Sequence, residues 1–368
     1  MSYYAVIGSQ FGDEGKGLFT DYLCSRSRNP LVVRFSGGQQ AGHTVYHNGK
    51  SHVFSNFGAG TLKGAPTLWM NYCTFDPIGV VNEYKVLKSK GVLPRLYVDG
   101  RCPVTTPYDI IHNRSSVSVD HGTCGFGVGA THQREEDFYS LVANDLLYDF
   151  VASEKIMRIQ EYYNKSVDLQ EFLDAVLFIR DCKDITIIND KEFIINWIGD
   201  VIFEGSQGLL LDQNIGFFPH VTRSNTGLKN LNLFNPEVFY ITRAYQTRHG
   251  AGPMSNFNIP HNIKENPDET NITNQYQGVF RKAILDVDLI KYAIEKDSYY
   301  ARSYTKKNLV ITCLDQVENE YRFTYNGKLV YCLDETEFIT KISNILKIDS
   351  IFISRTPDSF NIEIFEKK

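Results

Sequence analysis

The chain of 368 residues is long enough to bury a sizeable core, and its 42% hydrophobic and 22% charged residues are ordinary for a soluble globular protein. With 38 basic against 43 acidic residues, a formal charge of −5 and no block of like charges, nothing in it points to a nucleic-acid surface. No run approaches the roughly eighteen apolar residues of a membrane span, and no basic segment leads into an apolar core at the N-terminus, so neither a secreted nor a membrane-spanning protein is expected.

Seven scattered cysteines (Cys24, Cys73, Cys102, Cys124, Cys182, Cys313 and Cys332) include no CxxC. Neither a zinc site nor a disulfide framework is expected from them, and a reducing cytoplasm fits.

The first predicted strand is the apolar run at 3–7, and behind it stands Gly8-Ser9-Gln10-Phe11-Gly12-Asp13-Glu14-Gly15-Lys16-Gly17. The four glycines read as a loop whose backbone can approach phosphates, and Leu18, Tyr22 and Leu23 suit a helix onto whose anion-favouring N-terminus the loop opens. A glycine-rich turn alone permits only a tight connection. Three charged groups in one such turn waste stability unless a ligand uses them, and Lys16 is a ready partner for phosphate. The pattern is close to a Walker loop but departs from it, with Gln10 where glycine is needed and Gly17 where the magnesium-binding hydroxyl stands. Asp13 is the candidate to hold the metal in its place.

A second strand at 31–35 runs into Ser36-Gly37-Gly38-Gln39-Gln40-Ala41-Gly42-His43-Thr44. His43 is the one histidine of nine enclosed by small, flexible residues, at a strand end where ligands of open α/β sheets gather. Asn48-Gly49 signals a hairpin, 68–70 a strand, and Asp76-Pro77 the capped start of a helix over Pro77–Ser89. A third glycine cluster runs from Gly122 to Ala130, ahead of a helical pattern at 169–178. The strand at 201–203 ends in a fourth, Phe203-Glu204-Gly205-Ser206-Gln207-Gly208. A strand at 238–242 is followed by the polar, asparagine-rich stretch 256–278 with Pro260 and Pro267, which reads as a long mobile loop. The remaining pattern is a helix at 286–294, a strand at 309–314 leading to Asp315, a hairpin at Asn326-Gly327, a helix at 335–345 and a strand at 350–354. This alternation predicts an α/β domain over 1–368 with a mainly parallel central sheet, a P-loop-like nucleotide site, and small hairpin and loop subregions.

These blocks resemble the adenylosuccinate synthetase family, in order and spacing, over nearly the whole chain. The matching pieces are Gly12-Asp13-Glu14-Gly15-Lys16-Gly17, Ala41-Gly42-His43-Thr44, Gly122-Thr123-Cys124-Gly125 and Glu204-Gly205-Ser206-Gln207-Gly208. They continue with 219–226, Thr247-Arg248-His249-Gly250-Ala251-Gly252-Pro253, Leu314-Asp315, and Ser354 with Pro357-Asp358. The resemblance implies a homodimeric cytoplasmic ligase (host cytoplasm if the source is viral) that joins IMP to L-aspartate using GTP and Mg2+. It implies Asp13 as the base at purine N1 and His43 as the group on the transferring phosphoryl. Gly12, Glu14, Gly15, Lys16, Gly17, Gly42, Thr44, Asp315 and Ser354 would bind GTP, with Asp315 selecting guanine. Asp13, Lys16, Gln40, Ala41, Gly42, His43, Thr123, Cys124, Gln207 and Thr222 would bind IMP, and Asp13 and Gly42 would hold magnesium.

The departures from the family are specific. Cys124 replaces a phosphate-binding threonine, Gln40 an asparagine, and Cys313 the lysine beside the guanine-reading aspartate. The arginine that reaches into the partner subunit falls at Phe138, with Arg134 the nearest substitute. The arginine-rich aspartate loop becomes Gln275-Tyr276-Gln277-Gly278-Val279-Phe280-Arg281-Lys282, leaving Arg281 to meet the second substrate's carboxylate. The chain is also shorter than typical bacterial members. A viral sister group that acts on dGMP is similar, but its aspartate position tends to be serine, so Asp13 argues against it here. Two alternatives remain: a related ligase for another purine nucleotide such as (d)GMP or another amine, and a GTP-binding regulator that has lost the reaction.

Overall fold

The computed structural model describes all residues except 48, 116–122, 190–191, 267–268, 270–277, 319, 349 and 367–368. The chain begins with β1 (Tyr3–Gly8), α1 (Lys16–Arg26) and β2 (Leu31–Arg34), then a hairpin of β3 (His43–His47) and β4 (Lys50–Phe54). β5 (Thr67–Trp69), α2 (Pro77–Ser89) and β6 (Leu96–Asp99) follow, and then four helices: α3 (Pro107–Ser115), α4 (Val128–Glu136), α5 (Asp149–Tyr163) and α6 (Gln170–Asp181). Next come β7 (Ile185–Ile188), β8 (Val201–Gly208), β9 (Glu237–Arg243), and the paired β10 (Gln246–His249) and β11 (Phe280–Ala283). The chain closes with β12 (Leu285–Asp286), α7 (Val287–Asp297), β13 (Lys307–Thr312), β14 (Arg322–Tyr325), β15 (Lys328–Tyr331), α8 (Glu335–Leu346), β16 (Ser350–Ile353) and β17 (Glu363–Phe365).

Ten strands form one sheet in the order β17-β16-β13-β9-β1-β8-β2-β5-β6-β7, every pair parallel except β16 with β17. The expected α/β architecture with a mainly parallel sheet is therefore the one found. Ala5, Val6 and Ile7 of β1, Val32 and Val33 of β2, and Ile202 and Phe203 of β8 are fully buried, as strands covered on both faces require. β1 lies between β8 and β9, so the loops that leave their carboxyl ends converge on the loop after β1.

The α2 start behaves as its sequence predicts. Asp76 accepts a hydrogen bond from the Ile78 amide at 3.1 Å, with Pro77 in the first turn. Both hairpins also form, β3 pairing antiparallel with β4 and β14 with β15 around Asn326 and Gly327, while Asn48 itself lies outside the described residues. Short β6 and β7, helices α3 to α5 and edge strand β17 are additions that the sequence pattern did not single out. The β3–β4 hairpin is braced from below by α2. Glu83 accepts from the Asn56 amide at 2.6 Å and is joined to His52 Nε2 at 3.2 Å. None of the described helices is long and apolar enough to cross a membrane.

Candidate active site

The loop after β1 is organised by its own acidic side chain. Glu14 is buried, accepts from the amides of Gln10 (3.1 Å) and Gly12 (2.8 Å), and pairs with Lys16 Nζ at 2.6 Å. A Cβ at Gly8 would collide with that carboxylate, so the last residue of β1 has to be glycine. Gly12, Asp13 and Gly15 take positive φ values of 100°, 63° and 95°, and Gly15 caps α1. A positive φ is easy for glycine and costs a non-glycine residue such as Asp13 free energy. The neighbouring strand ends hold it there: Arg243 Nε donates to the Asp13 carbonyl at 2.6 Å, Thr247 to the Gly12 carbonyl at 3.1 Å, and Thr312 to the Glu14 carbonyl at 2.7 Å. Burial raises the Asp13 carboxyl above its usual range, against the opposing charges of Arg243 and Lys16.

His43 begins β3 directly above α1. A Cβ on Gly17 would sit 2.7 Å from His43 Cβ, so the absent side chain at 17 makes room for the imidazole. Its Nδ1 lies 2.6 Å from Glu204 Oε1 in the centre of β8, and Glu204 Oε2 accepts from the Ala59 amide at 3.2 Å. Both side chains are buried, and His43 Nε2 has no hydrogen-bond partner among the described residues. Burial lowers the His43 pKa. Burial would raise Glu204, but the His43 ring beside it draws the carboxyl below its usual range. An imidazole so placed keeps Nδ1 on the carboxylate and turns its other nitrogen outward.

Asp13 and His43 open into one cavity of about 950 Å3. Its wall gathers Gly12, Asp13, Glu14, Gly15, Lys16, Gly17, Gln40, Ala41, Gly42, His43, Thr44, Thr123, Cys124, Gln207, Thr222 and Asp315. Thr123 donates to Asn113 Oδ1 at 2.9 Å and accepts from the Gly125 amide, which shapes the turn that also presents Cys124. Burial pushes the Cys124 thiol up to about 11, so it stays un-ionised. The buried Oε1 atoms of Gln40 and Gln207 lack partners among the described residues, two acceptors left for a ligand. Asp315 stands exposed at the mouth, just beyond β13.

Two expected residues stand elsewhere. Arg281 of β11 does not line the cavity: its Nη2 donates to the carbonyls of Gly250 (2.5 Å) and Gly252 (3.0 Å). Ser354 is buried behind the wall, where its hydroxyl donates to the Thr356 carbonyl at 2.7 Å and shapes the turn that does line it. Arg134, read as a substitute for the arginine that crosses to a partner subunit, is fully buried. It bonds Asp109 at 2.9 Å and the Val104 carbonyl at 2.7 Å, while Phe138 is 94% exposed. Gly122 and residues 275–277 of the altered loop lie outside the described residues.

Other wall residues escaped the sequence pattern. Arg243, Glu269, Asn113 and Thr312 line the cavity. Arg248, from the matching block at 247–253, lines it too; its guanidinium bonds the carbonyls of Ala251 and Pro253 and lies over the Phe11 ring at 4.3 Å. Burial, aided by the Arg281 charge, lowers the Arg248 pKa to about 10. For magnesium, the expected donors Asp13 and Gly42 share the cavity with Lys16, and no group of three His, Cys, Asp or Glu side chains suited to a metal occurs among the described residues. One carboxylate and a backbone carbonyl fit an ion that completes its octahedron with water and substrate phosphates.

A family description named adenylosuccinate synthetase matches residues 5–349. Among curated relatives, the adenylosuccinate synthetase of Histophilus somni is 34% identical over 279 residues, 68% of this chain and 63% of its own length. That of Shewanella woodyi is 33% identical over 278 residues, with the same two shares. The chain thus spans less than two thirds of the length of these relatives. Among solved structures, fully ligated adenylosuccinate synthetase from Plasmodium falciparum superposes with a TM-score of 0.78 at 19% identity, covering 99% of both chains. The succinoaminodeoxyadenylate synthetase of cyanophage S-2L, bound to dGMP and dATP, gives 0.64 at 14% identity over 98% of this chain and 95% of its own.

Proposed function

Since the chain belongs to the adenylosuccinate synthetase family, we propose that it is a GTP-dependent ligase that joins IMP to L-aspartate, giving adenylosuccinate, GDP and phosphate. The observation that carries this reading is the pairing, in one cavity, of the half-buried Asp13 carboxylate with a His43 Nε2 that has no hydrogen-bond partner among the described residues, above the N-terminus of α1. Asp13 takes the N1 proton of IMP, the electron pair moves to O6, and O6 attacks the γ-phosphorus of GTP as the bond to GDP breaks. The aspartate amine then attacks C6 of 6-phosphoryl-IMP, and phosphate departs with the C6–O bond pair. His43, held by the Glu204 carboxylate, serves as the donor to the transferring phosphoryl once it carries a second proton. Lys16 and the first amides of α1 supply positive potential for the phosphates. Magnesium, when bound through Asp13 and Gly42, adds charge stabilisation on the same oxygens. Asp315, at the mouth, accepts the guanine N1 and 2-amino hydrogens.

Exposed Phe138 (94%), Tyr148 (58%) and Phe150 (76%) near α4 and α5 support assembly as a homodimer, and a cytoplasmic location accords with seven cysteines that are free in the structure. A second reading keeps the fold and first step but takes a different amine. It is favoured by Arg281, which spends its guanidinium on backbone carbonyls. The test is phosphate release from GTP with each substrate omitted in turn, with the product identified by mass spectrometry. Release that needs both IMP and aspartate is expected. Release with IMP and another amine, but not with aspartate, moves the assignment to the second reading. GTP binding without release under any combination leaves a regulatory protein.

A further inference from the structure

Arg243 is the last residue of β9 and is 7% exposed. Its Nε donates to the Asp13 carbonyl at 2.6 Å. Nη1 donates to the Tyr245 hydroxyl at 2.6 Å and to Glu269 Oε2 at 3.0 Å. The rings of Tyr245 and Phe280 flank the guanidinium, each centroid 5.5 Å away. One planar cation is thus shared between the left-handed backbone of Asp13 and a carboxylate about 256 residues further along the chain (269 minus 13), which lines the same cavity.

A guanidinium presents its donors in a rigid fork, so displacing one partner moves the other. Nothing within the loop itself would keep Asp13 at a positive φ, because Glu14 bonds the amides of Gln10 and Gly12 and leaves the Asp13 carbonyl to Arg243. We infer that Arg243 is a positioning residue that sets the attitude of the catalytic loop at Asp13 and makes it depend on Glu269. The inference rests on the ligase reading for the role of Asp13, and it concerns how that role is held in place. Glu269 lines the cavity close enough to Cys313 for its charge to act on that thiol, which puts it near Asp315, the residue assigned above to the guanine nucleotide, and at that end of the cavity. The pair therefore links occupancy of that end to the geometry of the base.

The test uses the full chain with Arg243→Lys, Arg243→Met, Glu269→Gln and the double variant Arg243→Met/Glu269→Gln, each checked for folding by circular dichroism. A misplaced reacting group costs on the order of a hundredfold in turnover. Arg243→Met is expected to lose about that factor in kcat, with KM for IMP and GTP within about threefold. Arg243→Lys is expected to recover part of the loss. Loss of charge at Glu269 is expected to cost about fivefold, and the double variant should be no worse than Arg243→Met alone. A readout that needs no turnover is hydrogen exchange at the amides of Gln10 and Gly12 in the substrate-free protein, which should speed up in Arg243→Met and in Glu269→Gln. Unchanged exchange together with unchanged kcat in folded variants overturns the inference, as does a loss confined to KM. Should the wild type release no phosphate at all, the ligase reading fails while the exchange measurement still decides this one. If Arg243→Met does not fold, Glu269→Gln carries the test.

Discussion

Glu204→Gln isolates the group beneath His43. The substitution keeps the length of the side chain and a carbonyl that can still accept from Nδ1–H, but it removes the charge 2.6 Å from the ring in a fully buried position. A hydrogen bond to a charged group contributes about 1.5–3 kcal/mol and a neutral one about 0.5–1.5 kcal/mol, so orientation alone loses about 1 kcal/mol. The larger loss concerns the imidazolium, which the carboxylate stabilises when Nε2 holds a proton for the phosphoryl group. At an effective dielectric of about 20, two unit charges about 4 Å apart attract by about 4 kcal/mol. The two figures bracket a fall in kcat between about fivefold and about a thousandfold. Initial-rate phosphate release at saturating GTP, IMP and aspartate measures it, with KM for each substrate alongside. Because the lost charge acts on a protonated ring rather than on bound substrate, KM should stay within about threefold. A folded Glu204→Gln protein with kcat within twofold of wild type would refute the reasoning, and so would an intact kcat with raised KM values.

Asp13→Asn should abolish ligation while leaving thermal stability near that of wild type, since an amide cannot take the N1 proton; near-normal turnover would remove Asp13 from the mechanism. Asp315→Asn should weaken GTP relative to ITP, and equal losses for both nucleotides in competition assays would make the residue structural. Asp297, which accepts from the Leu228 amide and the Tyr240 hydroxyl, is pushed up to about 7 by burial. A carboxyl raised in the folded state holds its proton better there than in the unfolded chain, so its contribution is greatest below pH 4 and is lost as pH rises toward and through 7. Asp297→Asn should flatten that fall, by up to about 4 kcal/mol; melting temperatures from pH 5 to pH 8 that track wild type would count against it.

The sheet was legible because buried parallel strands leave short β-branched runs, and β2, β8, β9, β13 and β16 each formed within a few residues of theirs. Helix α2 announced its start through Asp76-Pro77. Strands β6 and β7, four residues each, carry too little pattern to stand out beside the helices around them. At the site, glycine clusters marked where chain turns meet ligand, and the cavity collects residues from all four. The supporting side chains were hidden for a different reason. Arg243 meets Asp13 across 230 positions and Glu204 meets His43 across 161, and such distances leave no local periodicity to read. Arg281 shows the converse: its neighbourhood in sequence pointed at a ligand, whereas its pairing opposite Arg248 between β10 and β11 turns it onto the turn at 250–252.

The contact between Gly17 and His43 ties two distant loops to one choice of side chain. Position 17 is one of the two at which this loop departs from the common phosphate-binding loop, which carries serine or threonine there. A Cβ at 17 would stand 2.7 Å from His43 Cβ, so a hydroxyl gained there would require the histidine to shift from its place beside Glu204. The same glycine that leaves the loop without a metal-binding hydroxyl is therefore what lets an imidazole stand over the N-terminus of α1.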